Sequence, residues 1–203
     1  MITRVKLSSV AQGLPKYRSM LAGNDAYIPT DFESIATVTV SSGGSANIEF
    51  TSIPSTYKHL QIRISAQSNR GTFGTDYNNM TVNNDTGSNY ARHFIGGDGS
   101  APLVGGSSSV NYIAAGACGT STGSTFGASV IDILDYANTN KYKTIRTLSG
   151  NDLNGSVGGY GGEAYLLSSL WMNTNAITSI KIVPNSGTLY TQHTKFSLYG
   201  ING

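Results

Sequence analysis

Histidine and carboxylate side chains are the residues of this 203-residue sequence that could bind a metal ion. The three histidines, His59, His93 and His193, lie far apart, and none has another His or Cys at the short spacing of a zinc site. The stretch from Asp76 to Gly87 is rich in carboxylate and amide oxygens, but it ends in Gly where an EF-hand loop requires a bidentate Glu. We therefore expect no metal site and no cofactor, with a calcium ion in a looser loop as the alternative.

Catalytic groups are equally sparse. Asp132 and Asp135 resemble a carboxylate pair for glycosidic cleavage, yet side chains three positions apart on a strand point to opposite faces. The sequence contains no phosphate-binding glycine loop that ends in Lys-Ser or Lys-Thr. We therefore predict a protein that is not an enzyme.

Tyrosine is the residue type with the clearest potential for recognition. Tyr combines a flat apolar ring with one hydroxyl, and neighbouring Asn side chains add paired donors and acceptors, a combination suited to binding sugars or protein surfaces. The alternative is that half of these tyrosines belong to the core or to a subunit interface. The candidates, which stand among Gly, Asn and Ser, are Tyr77, Tyr90, Tyr112 and Tyr160.

Charge and composition exclude several classes of partner. Thirteen basic and 11 acidic residues give a net charge of +2, too balanced for binding a nucleic-acid backbone. No apolar run is long enough to cross a membrane or to form a signal peptide, so we expect a soluble protein that is made in a cytoplasm. Cys118 has no partner for an intrachain disulfide and is interpreted as a small buried packing residue.

The apolar pattern predicts an all-β fold. Leu60, Ile62, Ile64 and Ala66 alternate with polar residues, which is typical of a half-buried strand. The alternating segments 36–40 and 48–50, joined by Ser42-Gly43-Gly44-Ser45, predict a hairpin. Further strands are expected at about 125–136, 141–149, 163–172, 176–183 and 193–201. We expect long loops within 69–127, with short strands near Met80, Tyr90 and Tyr112.

An Asn-Thr-Asn motif occurs twice after an aromatic residue. It occupies 138–140 after Tyr136 and 173–175 after Trp171, and each copy precedes a predicted strand. Asn tolerates left-handed backbone and caps its own turn, so each copy is predicted to close a hairpin. The similarity is too short to indicate a repeat protein.

The first 34 residues break the alternation and are predicted to form an extended docking arm, with residues 35–203 as the β-domain. The arm is too apolar for an inert tail, which indicates that it becomes ordered on a partner. The alternative is an edge strand of its own domain. The docking residues are predicted to be Leu14, Pro15, Tyr17, Arg18, Met20 and Leu21.

Four stretches of the chain resemble the tail-fibre and related virion structural proteins of tailed bacteriophages. They are LPKYRSMLAGNDAY (14–27), FTSIPSTYKHLQI (50–62), IDILDYANTNKY (131–142) and FSLYGI (196–201). The resemblance implies that an N-terminal segment docks to the particle and that a C-terminal β-domain, usually trimeric, projects outward.

These interpretations combine into one expected function. We expect a short tail fibre or tail-attached virion protein whose arm binds another virion protein. Its jelly-roll-like antiparallel sandwich would assemble as a homotrimer and bind a host surface glycan. A capsid decoration protein, either cement or head fibre, is the alternative. A glycan-degrading tailspike is excluded because no two carboxylates share one face.

Removal of residues 1–30 is expected to leave the sandwich folded, because clear alternation begins at Ile35. Incorporation into particles should be lost, since three arms per trimer bind with a high effective concentration. Melting of the truncated protein and its co-sedimentation with particles that lack the native copy measure the two effects. A lost melting transition would place the arm in the sandwich, and retained co-sedimentation would place attachment in the β-domain.

Overall fold

The computed structural model describes residues 31–157 and 160–203, without the side chains of Asn154, Ser156, Val157 and Tyr160. Within these ranges the chain is all-β, and it has no helix of the length and hydrophobicity needed to span a membrane. The strands are β1 (Phe32–Thr39), β2 (Ile48–Phe50), β3 (His59–Ser68), β4 (Thr75–Val82), β5 (Tyr90–Gly97), β6 (Pro102–Val110), β7 (Ile113–Thr120), β8 (Gly127–Ile133), β9 (Lys143–Val157), β10 (Tyr160–Trp171), β11 (Ile180–Pro184) and β12 (Lys195–Ile201).

The strands form two layers, as in a jelly-roll-like sandwich. The large layer has the order β1-β12-β3-β8-β9-β10-β5-β6, and the small layer has the order β2-β11-β4-β7. Neighbouring strands within each layer are antiparallel. A short parallel pairing of Gln67 and Ser68 on β3 with Gly119 and Thr120 on β7 joins the layers. The predicted all-β sandwich is confirmed.

Apolar side chains from both layers meet in one core. Leu60, Ile62 and Ile64 of β3 face Met80 and Val82 of β4 in the same buried cluster. This cluster is what the period-two alternation of β3 predicts, because alternate side chains of a strand lie on one face. Cys118 is also fully buried there, as predicted.

Strand β1 begins at Phe32, ahead of the clear alternation at Ile35. Its pairing with β12 shifts register between Ser34 and Ala36. A bulge of this kind reverses which residues face the core, so the sequence pattern is interrupted there although the strand continues. The predicted docking residues of the arm lie outside the described residues.

The hairpin predicted for 36–40 and 48–50 is wrong. Strand β1 pairs with β12, whereas β2 pairs with β11 in the other layer. After β1 the chain continues to pair with the segment before β12, through Val40 N to Thr194 O at 2.8 Å and His193 N to Val40 O at 3.0 Å. The glycine turn therefore carries the chain between layers, since turn residues alone do not specify the strand that follows.

The two Asn-Thr-Asn motifs have the same local turn but different roles in the fold. Asn140 N donates to Asn138 Oδ1 and Asn175 N donates to Asn173 Oδ1, both at 2.8 Å. The first copy joins β8 to β9, which are paired, so the predicted hairpin is confirmed. The second joins β10 to β11, which lie in different layers, so that hairpin prediction is wrong.

The long loops predicted within 69–127 are largely strands. This segment holds β4, β5, β6 and β7, each of eight or nine residues. Its glycines lie opposite bulky rings across the strand pairs, Gly96 opposite Tyr165 and Gly105 opposite Phe94. A Cβ on Gly96 would come within 2.3 Å of the Tyr165 ring, and one on Gly105 within 2.7 Å of the Phe94 ring. At these two positions glycine makes room for cross-strand aromatic packing, whereas Gly99, with a φ of +85°, lies in the turn between β5 and β6.

One buried carboxylate connects three parts of the fold. Asp76 Oδ2 accepts hydrogen bonds from Ser68 Oγ at 2.7 Å and Gly187 N at 2.9 Å. Its Oδ1 accepts from Tyr77 N at 2.8 Å and Ser186 N at 3.1 Å. Asp76 thereby holds the end of β3 and the segment after β11 against β4.

Asp76→Ala is expected to lower the free energy of unfolding by roughly 3 kcal/mol or more, because it leaves several buried donors without an acceptor. Glu49→Ala is the control, since it removes only an exposed ion pair with Lys181 and is expected to cost less than about 1 kcal/mol. Urea unfolding of both variants measures the difference. Equal losses of stability would show that Asp76 has no special structural role.

Candidate functional site

An aromatic cleft opens where β5 and β10 of the large layer approach β4 and β7 of the small layer. Its volume is about 220 Å³, below the roughly 300–1,000 Å³ of sites for drug-sized ligands, so it suits a small ligand or part of a longer one. Its walls combine aromatic rings with amide and guanidinium groups. The lining residues are Tyr77, Asn79, Arg92, Phe94, Tyr112, Ala114, Gly116, Tyr165, Leu167 and Asn185.

Two tyrosines of the cleft share one buried carboxylate. Tyr77 Oη and Tyr165 Oη each donate a hydrogen bond of 2.9 Å to Glu163 Oε2. The Tyr77 and Tyr165 ring centroids lie 6.3 Å apart in an edge-to-face arrangement, and Phe94 packs edge-to-face on Tyr165 at 5.7 Å. The shared carboxylate and the ring contacts hold the aromatic wall in one geometry, which lowers the entropy lost when a ligand binds.

Burial sets the protonation of this group of three. Desolvation raises the pKa of Glu163 above 4.5, and the hydrogen bonds from Tyr165 and Tyr77 oppose that shift. Burial likewise raises the pKa of Tyr165 to about 12. Burial is also the main cause of the raised pKa of Tyr77, and the negative charge of Glu163 is the next largest cause. Both phenols therefore stay protonated at neutral pH and act as donors. Within the part of the chain that the structure describes, the buried Glu163 Oε1 has no hydrogen-bond partner.

Polar groups of the cleft lie beside these rings. The Arg92 guanidinium lies 4.9 Å from the centroid of the Tyr112 ring, a cation–π contact that orients both side chains. Asn79 Nδ2 donates to Asn185 Oδ1 at 2.8 Å, which fixes the orientation of two amides at the rim. Each of these groups retains further donors or acceptors for a ligand.

A smaller depression adjoins the cleft. It has a volume of about 150 Å³ and shares Tyr77 and Asn185 with the cleft. Arg70 lines it, donating to Thr75 O at 2.8 Å and lying 4.3 Å from the centroid of the Phe73 ring. Tyr77 and Asn185 therefore contribute to both depressions.

Glycine is required at the base of the cleft. Gly116 has a φ of +96°, and the pairing of β7 with β4 shifts register at this point, between Tyr77 and Asn79. A Cβ there would come within 2.3 Å of Ser129 Oγ and 2.5 Å of Ser149 Oγ. The bulge lets β7 pass close to β8 and β9 while Tyr77 and Asn79 still face the cleft.

The structure unites only part of the tyrosine set predicted from the sequence. Tyr77 and Tyr112 line the cleft together. The surface role predicted for Tyr90 is wrong, because its ring is fully buried and its hydroxyl donates to Asp85 O at 2.8 Å. The side chain of Tyr160 lies outside the described residues.

Sequence reasoning missed most of the remaining wall. Arg92, Phe94 and Tyr165 lie on β5 and β10, and the pairing of these two strands could not be inferred from local pattern. The one available signal was the glycine-rich stretch around Gly96, which marks where a neighbouring strand carries a large ring.

The other residues considered for chemistry have structural contacts. Asp132 Oδ1 accepts from Gln61 Nε2 at 2.9 Å, and Asp135 forms ion pairs with Lys141 and Lys58. Lys141 and then Lys58 lower the pKa of Asp135. In the Asp76–Gly87 stretch, Asp85 accepts from Trp171 Nε1 at 2.8 Å and Gly87 N at 2.9 Å. Within 31–157 and 160–203, no three His, Cys, Asp or Glu residues are placed to hold a metal ion.

Comparison with known proteins gives only remote likenesses. No protein-family model matches the sequence, and no curated protein matches it. A fructofuranosidase variant from Schwanniomyces occidentalis, complexed with fructosylnystose, matches with a TM-score of 0.24 and 9% identity. That match covers 87% of this chain and 35% of the fructofuranosidase, so the chain spans about a third of its length. The carbohydrate recognition domain of Emp47p matches with a TM-score of 0.27 and 7% identity, covering 89% of this chain and 92% of that domain. Likenesses at this level carry no argument about function.

Glu163→Gln is expected to change how stability depends on pH. Because burial raises the folded-state pKa of Glu163 above its unfolded value, the folded chain binds more protons than the unfolded chain at pH values between the two pKa values. Stability therefore falls as the pH rises through this range. Glutamine does not titrate, so the melting temperature of the wild type should fall relative to that of the variant as the pH rises from roughly 4 to 8. Scanning calorimetry of both proteins measures the difference. Parallel pH profiles would contradict the prediction.

Proposed function

We propose that this chain is a non-enzymatic attachment component of a bacteriophage virion, whose β-domain binds a short glycan in the aromatic cleft. The observation that carries glycan binding is the cleft itself. Rings of Tyr77, Tyr112 and Tyr165 stand beside the Arg92 guanidinium and the Asn79–Asn185 amide pair. Aromatic faces suit the apolar face of a sugar ring, and amides and guanidinium groups suit its hydroxyls.

The makeup of the cleft supports binding without cleavage. Among the described residues that line it, none carries a carboxylate, an imidazole or a thiol. The nearby carboxylate, Glu163, directs one oxygen to both phenols and is buried. Glycosidic hydrolysis normally requires two carboxylates on either side of the scissile bond, so this arrangement favours recognition.

The virion part of the proposal has separate support. It comes from the resemblance of four stretches to tail-fibre and related virion proteins, together with the all-β fold of the domain. Immunogold labelling of particles tests it. Label on the tail is the expected result, label on the head would favour a capsid decoration protein, and unlabelled particles would refute a virion role.

Glycan binding is tested with Tyr112→Ala, which removes the ring under Arg92. We expect a glycan selected on an array to bind about tenfold more weakly, because stacking and the orientation of Arg92 are both lost. Tyr142→Ala is the matched control, since Tyr142 is half exposed just before β9 and is absent from the cleft lining. Titration calorimetry measures the affinities. Equal binding by both variants, or no glycan bound by the native chain, would refute the proposal.

The absence of cleavage is tested on the same glycan. Incubation with the native protein is expected to release no reducing ends. Release that disappears in the Glu163→Gln or Asp132→Asn variant would show that the chain is an enzyme.

A further inference from the structure

Five large apolar side chains form a row across the outer face of the large layer. The strand register places Ile95 opposite both Val104 and Leu166, Leu166 also opposite Leu148, and Leu148 also opposite Val130. The row therefore crosses five adjacent strands, β6, β5, β10, β9 and β8, without interruption.

These side chains are exposed on a face that usually carries polar residues. Their exposed fractions are 73% for Val104, 58% for Ile95, 52% for Leu166, 65% for Leu148 and 36% for Val130. Single exposed apolar residues are normal, but a contiguous apolar patch of several hundred Å² marks an interaction surface. Because the row lies on the face away from the core, packing among the residues that the structure describes does not explain it.

Two further rows of side chains flank the apolar row on this face. On one side lies a row of small or rigid residues, which are Pro102, Gly97, Ala164, Gly150 and Ala128. Four of these five, all except Pro102, line a depression of about 540 Å³ together with Asp98, Asp152 and Glu163. On the other side, Arg146 and Asp132 lie opposite one another on β9 and β8, so their charges compensate.

We propose that this face binds the same face of a second copy of the chain. The order of the row is Val, Ile, Leu, Leu, Val, which is symmetric in side-chain size about Leu166. A twofold axis through Leu166 places Val104 against Val130 of the other copy and Ile95 against its Leu148. An isologous interface brings the same patch of both copies together, and this order pairs side chains of similar size across the axis.

The size of the face fits a modest homodimer interface. Five strands about 4.8 Å apart give a row about 19 Å long, and three rows of side chains cover on the order of 500 Å² per copy. Two such faces bury about 1,000 Å² in total, near the lower limit for specific interfaces. The dimer should therefore dissociate on dilution.

The test compares the full native chain with Leu166→Lys and Leu148→Lys by sedimentation equilibrium over a range of concentrations. Both side chains are exposed, so lysine is compatible with the fold, but it would leave an unpaired charge in the packed face. We expect the native chain to form a concentration-dependent dimer and each variant to dimerise at least about tenfold more weakly. Tyr142→Lys, which changes an exposed apolar residue outside the row, is expected to leave the dimer unchanged.

Each of the following results would overturn the proposal. They are a monomeric native chain, a trimer of the kind the resemblance implies, or a dimer that neither lysine variant weakens. A native monomer that dimerises only after residues 1–31 are removed would also overturn it, since the arm would then be the occupant of the face. Glycan binding by Leu166→Lys measures the cleft separately, so failure of one proposal can be distinguished from failure of the other.

Discussion

Strand β3 is the element on which the rest of the structure depends. It pairs with β12 and β8 in the large layer, and its last residues pair with β7 of the small layer. Its alternate side chains Leu60, Ile62 and Ile64 are buried in the common core. At the point where β3 leaves the large layer, Ser68 donates to Asp76, so a buried hydrogen bond fixes the position of β4 relative to β3. The cleft depends on that position because β4 carries Tyr77 and Asn79.

Glycine residues opposite aromatic rings shape the wall of the cleft. In β5 and β6, Gly96 and Gly105 leave room for the rings of Tyr165 and Phe94 on the strands beside them. The same two rings contact each other edge-to-face and form part of the cleft wall. A Cβ at either glycine would displace a ring of the site, so the glycine-rich composition of this region has a direct consequence for recognition.

The scarcity of charge affects both proposed surfaces. With 13 basic and 11 acidic residues in 203, the domain presents mostly uncharged polar and apolar groups. Burying such groups costs less desolvation than burying charged ones, which favours both a glycan in the cleft and a second copy on the outer face. The two surfaces involve opposite faces of β10, since Tyr165 and Leu167 line the cleft while Leu166 lies in the exposed row. One strand can therefore support both interactions without competition between them.

The sequence by itself determined the features that depend on short-range geometry. Period-two alternation identified β3 and predicted a sandwich, because alternate side chains of a strand share a face. Both Asn-Thr-Asn motifs adopt the same side-chain turn, because that hydrogen bond spans two residues. Tyr77 and Tyr112 of the cleft were also identified from their type and neighbours.

Only the tertiary structure decided which strands pair and which faces remain exposed. The second Asn-Thr-Asn motif leads into the other layer, and Tyr90 enters the core although its neighbours resemble those of Tyr112. Glu163 reaches Tyr77 across 86 positions of the sequence, and the exposed row is assembled from five strands in register. These features depend on contacts between residues far apart in the chain, whose free energies depend on the packing of the whole core and leave no local pattern in the sequence.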